Sequence, residues 1–157
     1  MSRMDRDLYY MLIAKTTALR GTCDRRQVGA VIVASDRILS AGFNGAPRGL
    51  PECDEVGHKM FEGHCVRTVH AEANALLEAG GAMIRRLART TEVTIYTTTF
   101  PCPACMNLII NAGVNRVVYL DEYKDQTHRN DPNTYTVEIA ELAGVSLVSA
   151  SDLGIDV

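Results

Sequence analysis

Two short stretches far apart in the chain, His70-Ala71-Glu72 and Pro101-Cys102-Pro103-Ala104-Cys105, constrain the fold more than any other feature of it. One imidazole and two thiolates fall one donor short of the four-ligand set of a structural zinc. That is the pattern of an ion which keeps a position open for water. For the three side chains to meet, the starts of two helices must converge on one point. Cys102 and Cys105 bracket a proline suited to a first helical turn, so both sulfurs sit where backbone N–H groups are unpaired and carry partial positive charge. Those groups favour thiolate, the form that binds metal. His70 opens the other helix, and Glu72 can face the open position only because it lies in that helix's first turn. Two thiolates neutralise a divalent zinc and weaken it as a Lewis acid. N–H groups directed at sulfur restore some acidity, and a carboxyl base supplies the remainder.

The rest of the chain predicts an α/β protein. Residues 6–19 carry Leu8, Met11, Leu12, the Lys15 stem and Leu19 at helical spacing, and Gly21 stops the helix. A β-branched run over 28–34, a turn at Ser35-Asp36-Arg37 and an apolar run over 38–43 read as a hairpin. Residues 44–63 are rich in Gly, Pro and charge and lack periodicity, as a long functional or stapled loop does. A helix over 70–79 is closed by Gly80-Gly81. A strand over 93–97, a helix over 103–112 with Gly113 past its end, a strand over 114–120, a helix over about 133–143 ended by Gly144, and a strand over 145–148 follow. Strands alternating with helices in the second half predict parallel neighbours in a mixed sheet covered on both faces. With no internal repeat and no linker, residues 1–157 read as one domain.

Composition narrows the function. At 46% hydrophobic and 22% charged residues the chain is an ordinary globular protein, and a net charge of −3 with no basic stripe argues against a polynucleotide partner. A small anionic substrate needs only a few local basic groups. The five cysteines are an odd number, the opening residues are charged and lack an apolar leader, and no apolar run nears the roughly 18 residues that span a bilayer. The expectation is a cytoplasmic protein without membrane contact, its thiols reduced and available to metal.

The chain resembles the cytidine deaminase-like superfamily and, within it, deoxycytidylate (dCMP) deaminases. The residues 70–75 and 101–105 carry the superfamily resemblance. The match also includes Thr22-Cys23-Asp24-Arg25, Gly42-Phe43-Asn44-Gly45-Ala46-Pro47 and Gly63-His64-Cys65-Val66-Arg67-Thr68-Val69, of which Gly42-Phe43-Asn44-Gly45 and Cys65-Val66-Arg67-Thr68-Val69 narrow it. The resemblance implies a three-layer α/β/α fold with a five-stranded mixed sheet and helices on both faces. It implies zinc-dependent hydrolysis of dCMP to dUMP and ammonia, supplying dUMP for thymidylate synthesis. His70, Cys102 and Cys105 would hold the catalytic zinc, and Glu72 would carry the proton to N3 and later to the departing amine. Backbone groups near Ala71 and Thr99–Phe100 would orient the base. Asn44 matches a substrate-binding position, although Asn-Gly is also a strong turn former by itself. Tyr123 would lie over the base or reach the phosphate.

The resemblance also implies a second, structural zinc held by Cys23, Cys53, His58 and Cys65, which would pin the long loop to the end of the first helix. His64 is the competing fourth ligand, and because neighbours in sequence rarely share one ion it is assigned to substrate instead. Arg25, His64 and Lys124, each beside a motif residue, are the expected phosphate contacts, ahead of Arg48 and Arg67. Relatives of this kind are often homo-oligomers, commonly hexamers, regulated by dCTP with Mg²⁺ and by dTTP through the loop over 42–49. Two other functions use similar motifs: a polynucleotide deaminase of the tRNA adenosine type and a noncatalytic zinc protein.

Overall fold

A computed structural model of the protein describes residues 2–121 and 132–157. Helix α1 (Arg6–Ala18) leads into a hairpin of β1 (Gly29–Ala34) and β2 (Arg37–Phe43). A short helix α2 (Cys53–Val56) and a small hairpin of β3 (Met60–Phe61) and β4 (His64–Cys65) follow. Then come α3 (Ala71–Ala79), α4 (Gly81–Leu87), β5 (Val93–Thr99), α5 (Pro103–Ala112), β6 (Arg116–Asp121), α6 (Pro132–Ala143) and β7 (Ser146–Ser149), and a 3₁₀ turn at Ser151–Leu153.

The main sheet has the order β2-β1-β5-β6-β7. β1 is antiparallel to both β2 and β5, whereas β5, β6 and β7 run parallel. The sheet is therefore mixed and five-stranded, with helices on both faces. Alternation along the strands sorts the two cores. Val31, Val33, Tyr96 and Val118 pack against Tyr10, Met11 and Ala14 of α1. Ala30, Ile32, Ile95 and Val117 face the other way, onto Ala71, Ala75, Met106, Ile109 and Ala140 of α3, α5 and α6. All of β1 and β5 is buried, as expected of strands covered on both sides.

Two glycines set the distance of the helices from the sheet. A Cβ on Gly29 would lie 2.1 Å from the Ala14 carbonyl oxygen of α1, and one on Gly42 would lie 2.4 Å from the Ala71 carbonyl oxygen of α3. The second approach places the start of α3 against the end of β2, where the Ser40 hydroxyl also donates to the Ala75 carbonyl at 2.8 Å. Both glycines are therefore fixed by packing.

Several sequence expectations need correction. The α1 face is buried through Tyr10, Met11, Ala14 and Ala18, whereas Leu19 is 72% exposed: the helix stops before Leu19 and its close contact to the sheet needs small residues. Gly80 does end α3, but it also caps α4, which starts at the next residue and was not anticipated. The segment 44–63 is not irregular throughout, since it contains α2 and β3 and leads into β4.

Candidate active site

The site stands beyond the carboxyl end of β5, where α/β sheets commonly bind ligands. His70 is the N-cap of α3, Cys102 is the N-cap of α5, and Cys105 lies one turn into α5. Pro103 occupies the first turn, and the Cys105 N–H donates to Cys102 Sγ at 3.5 Å. His70 Nδ1 is 3.6 Å from Cys102 Sγ and 3.4 Å from Cys105 Sγ. All three donor atoms lie within 4.8 Å of one another. A tetrahedral zinc at about 2.3 Å from sulfur and about 2.0 Å from nitrogen sets donors about 3.5–3.8 Å apart, so the observed spacing fits the ion. Cys102 is lowered to about 4, first by its hydrogen bond from Cys105 and further by His70. The same bond, with burial, drives Cys105 upward. Two sulfurs this close ionise together only with a cation between them.

Glu72, in the first turn of α3, is 2% exposed and fully within the protein. Its Oε2 accepts from Cys105 Sγ at 3.6 Å, beside the cluster and not as a member of it. Burial raises its carboxyl above the ordinary range, opposed in part by a backbone N–H and by His70. A carboxyl whose protonated form is favoured in this way suits a group that takes up and passes on a proton.

A second set of donors gathers from separate loops. Cys23, Cys53, His58 and Cys65 also bring one atom each within 4.8 Å of the others. Cys53 Sγ and Cys65 Sγ are 3.7 Å apart, and His58 Nδ1 is 3.6 Å from Cys23 Sγ, again a tetrahedral spacing. His58 Nε2 faces Asp24 at 2.9 Å, and that carboxylate fixes the ring so that Nδ1 points into the cluster. Burial and the neighbouring sulfurs push Cys53 up to about 12. For Cys65 burial is outweighed by the Arg67 backbone N–H, His58 and the Lys59 backbone, which bring it down to about 6. His64 is not in this set.

Between the two clusters lies a cavity of about 330 Å³. Cys23 and Cys65 line it on the four-donor side, and His70, Glu72 and Cys102 on the three-donor side. Arg25 and His64 line it, and Ala71, Thr99 and Phe100 form further wall. The Arg25 guanidinium donates to Met60 Sδ at 2.9 Å and to the Gly63 carbonyl at 3.1 Å, which holds it across the small hairpin. Asn44 also lines the cavity, but its amide is a brace: Oδ1 accepts the Val28 N–H at 2.7 Å and Nδ2 donates to the Arg26 carbonyl at 2.8 Å. Nδ2 carries two hydrogens and this bond uses one. Arg48 and Arg67 are absent from the cavity wall, and Arg67 Nε donates to the Gly57 carbonyl at 2.9 Å. Tyr123 and Lys124 lie outside the described residues.

Sequence reasoning missed Arg26 and Thr68, both in the cavity wall. The Arg25-Arg26 doublet held a signal for the first, because it sets a second basic side chain next to the one already singled out. Thr68 carried none.

Residues 4–121 match the family described as the cytidine and deoxycytidylate deaminase zinc-binding region. The chain is 38% identical over 147 residues to ComE operon protein 2 of Bacillus subtilis (strain 168), covering 94% of this chain and 72% of that protein. It is 39% identical over 134 residues to the deoxycytidylate deaminase of Mycobacterium phage D29, covering 78% of this chain and 99% of the relative. Among solved structures, the dCMP deaminase from the cyanophage S-TIM5 in complex with dCMP and dUMP superposes with a TM-score of 0.70 at 26% identity, covering 95% of this chain and 99% of that one. Among the described residues no helix is long and apolar enough to cross a membrane.

Proposed function

The chain belongs to the cytidine and deoxycytidylate deaminase family, and from that premise we propose that it hydrolyses dCMP to dUMP and ammonia. One observation carries the reading: a three-donor cluster with a buried free carboxyl opens into a cavity that two arginines and a histidine also line. His70, Cys102 and Cys105 hold the zinc. When bound, the ion supplies a Lewis acid that lowers the pKa of water. Glu72 takes a proton from the attacking water, gives it to ring N3, and then carries the water's second proton, from the new C4 hydroxyl, to the exocyclic amine. The C4–N bond breaks, ammonia leaves, and the ring keeps the oxygen from water. The helix-start N–H at Cys105 draws charge from Cys102 sulfur and so offsets the charge of two thiolates.

Arg25, Arg26 and His64 face the 5′-phosphate, a task for which guanidinium forks are suited. Asn44 reaches substrate with its second amide hydrogen while the first holds the backbone. Cys23, Cys53, His58 and Cys65 hold a structural zinc with no open position. A homo-oligomer and control by dCTP with Mg²⁺ and by dTTP belong to the same reading.

Zinc-loaded protein assayed against dCMP, CMP, dCTP and deoxycytidine tests it, with and without dCTP and dTTP. Ammonia release is fastest from dCMP, and deoxycytidine, which differs from it only in lacking the phosphate, is slower by about 10²-fold in kcat/KM if two charged hydrogen bonds are lost. Equal rates for deoxycytidine and dCMP would remove the phosphate assignment. No release from any of the four would remove the deaminase reading.

A further inference from the structure

We propose that Glu52 is a positioning residue that ties the four-donor cluster to the substrate-facing loop at Asn44. Its kinetic readout rests on the dCMP reading above; its metal readout does not. Glu52 Oε2 accepts two short hydrogen bonds, from the Thr22 hydroxyl at 2.6 Å and from the Ala46 N–H at 2.6 Å. The three residues joined this way each lie within two residues of a functional one. Glu52 precedes Cys53, Thr22 precedes Cys23, and Ala46 is two residues past Asn44. The Thr22 N–H also donates to the Asn44 carbonyl at 3.2 Å.

The connection continues past Asn44. Gly45 pairs with Val69 in an isolated bridge, with hydrogen bonds of 3.2 and 2.8 Å, and Val69 precedes His70. A continuous run of backbone and side-chain bonds thus joins the two clusters, and the Glu52 carboxylate closes it by holding Thr22 and Ala46 at once. An acceptor is required there, because both partners are donors. α2 is only a four-residue helix, capped at its start by the pairing of Glu52 with Glu55, and β3–β4 a two-residue pairing, so apart from Glu52 itself local structure gives the segment little rigidity. His70 and Glu72 are held independently by α3. Loss of Glu52 therefore loosens the cavity wall while leaving the proton carrier in place, which predicts a change in KM and not in kcat.

The test compares zinc-loaded wild type with Glu52→Ala, Glu52→Gln and Thr22→Val. In Glu52→Ala, KM for dCMP rises about tenfold with kcat within about twofold, the scale of one to two lost hydrogen bonds. Zinc release to a colorimetric chelator from the four-donor cluster quickens by about the same factor. Glu52→Gln keeps one oxygen able to accept both bonds and stays within about threefold of wild type on each measure. Thr22→Val, which removes one bond and preserves shape, falls between. An unchanged KM in Glu52→Ala would overturn the proposal, as would equal impairment in Glu52→Gln or a loss confined to kcat that tracks the folded fraction. Should the wild type fail to turn over dCMP, the deaminase reading falls alone, and the zinc-release comparison still decides for or against Glu52.

Discussion

The two donor clusters use the same side-chain types on opposite kinds of support. The three-donor cluster rests on the ends of two regular helices, α3 and α5, packed on a fully buried strand. The four-donor cluster draws on a loop, a four-residue helix and a two-residue strand pair, with Met60, Phe61 and Val66 exposed around it. The fold places the first cluster, whereas the second supplies order to residues that have no core of their own. An ion costs little to the fold where the scaffold is already rigid, and contributes folding free energy where it is not. The same contrast assigns chemistry, because the three-donor cluster has a buried carboxyl against its donors, Glu72, whereas the carboxylate at the four-donor cluster, Asp24, is exposed and meets the far side of the His58 ring.

The sharpest way to break this contrast is Glu72→Gln, which keeps shape and removes the proton carrier. Ammonia release from dCMP falls about 10³-fold, while zinc per chain and melting temperature stay as in wild type. Preserved turnover would show that Glu72 does not move the proton. Next in size is a paired substitution. Cys65→Ser takes a donor from the four-donor cluster and lowers Tm on the order of 10 °C, the scale of a few kcal/mol in a chain of this length. Cys102→Ser abolishes turnover yet leaves Tm within a few degrees. Similar melting losses in both would erase the distinction between a cluster that orders its loop and one that the fold holds.

A smaller effect sharpens the second cluster. Asp24→Asn removes the carboxylate that orients His58, so zinc leaves that cluster about tenfold faster while release from the other is unchanged. An unaltered release rate would mean that His58 is fixed by its ring packing and not by Asp24.

The smallest effect comes from the far end of the sheet, which serves as a control for both clusters. There Arg116 grips Asp7 through bonds of 2.8 and 2.9 Å, and the Tyr96 hydroxyl donates to Asp7 at 2.6 Å. The Arg116 bond holds the Asp7 carboxyl below its ordinary value of 3.8, against the opposing effect of burial. A carboxyl with a depressed folded-state pKa stabilises the fold above its unfolded value and loses that contribution as pH falls through the folded one. The Tm difference between wild type and Asp7→Asn is therefore a few degrees at neutral pH and shrinks as pH drops below 3.8, with dCMP turnover at neutral pH unaffected. A difference constant with pH would show that the pair does not titrate with folding.

Much of the architecture was legible because its signals are local. Pro103 and Gly113 bracket α5, Gly80 ends α3, and β-branched runs mark β1 and β5. The failures fall where order comes from across the chain. α2 and the β3–β4 hairpin lack a hydrophobic period, since their residues are held by donors brought from Cys23 and by the Glu52 bonds. α4 was hidden because a glycine pair reads as a stop, although here Gly80 also serves as the next cap. Leu19 fits the helical period and yet is exposed, since small residues are what permit α1 to approach β1.

The sequence by itself determined that His70, Cys102 and Cys105 stand at helix starts with Glu72 in the first turn, because capping, proline and glycine act within a few residues of themselves. Only the tertiary structure decided that His58 joins the second cluster while His64 turns to the cavity, that Asn44 braces the backbone beside Arg26, and that Glu52 bridges three segments. Those outcomes depend on distances between residues far apart along the chain. They are set by how closely helices pack on a sheet, and no local pattern of residues encodes them.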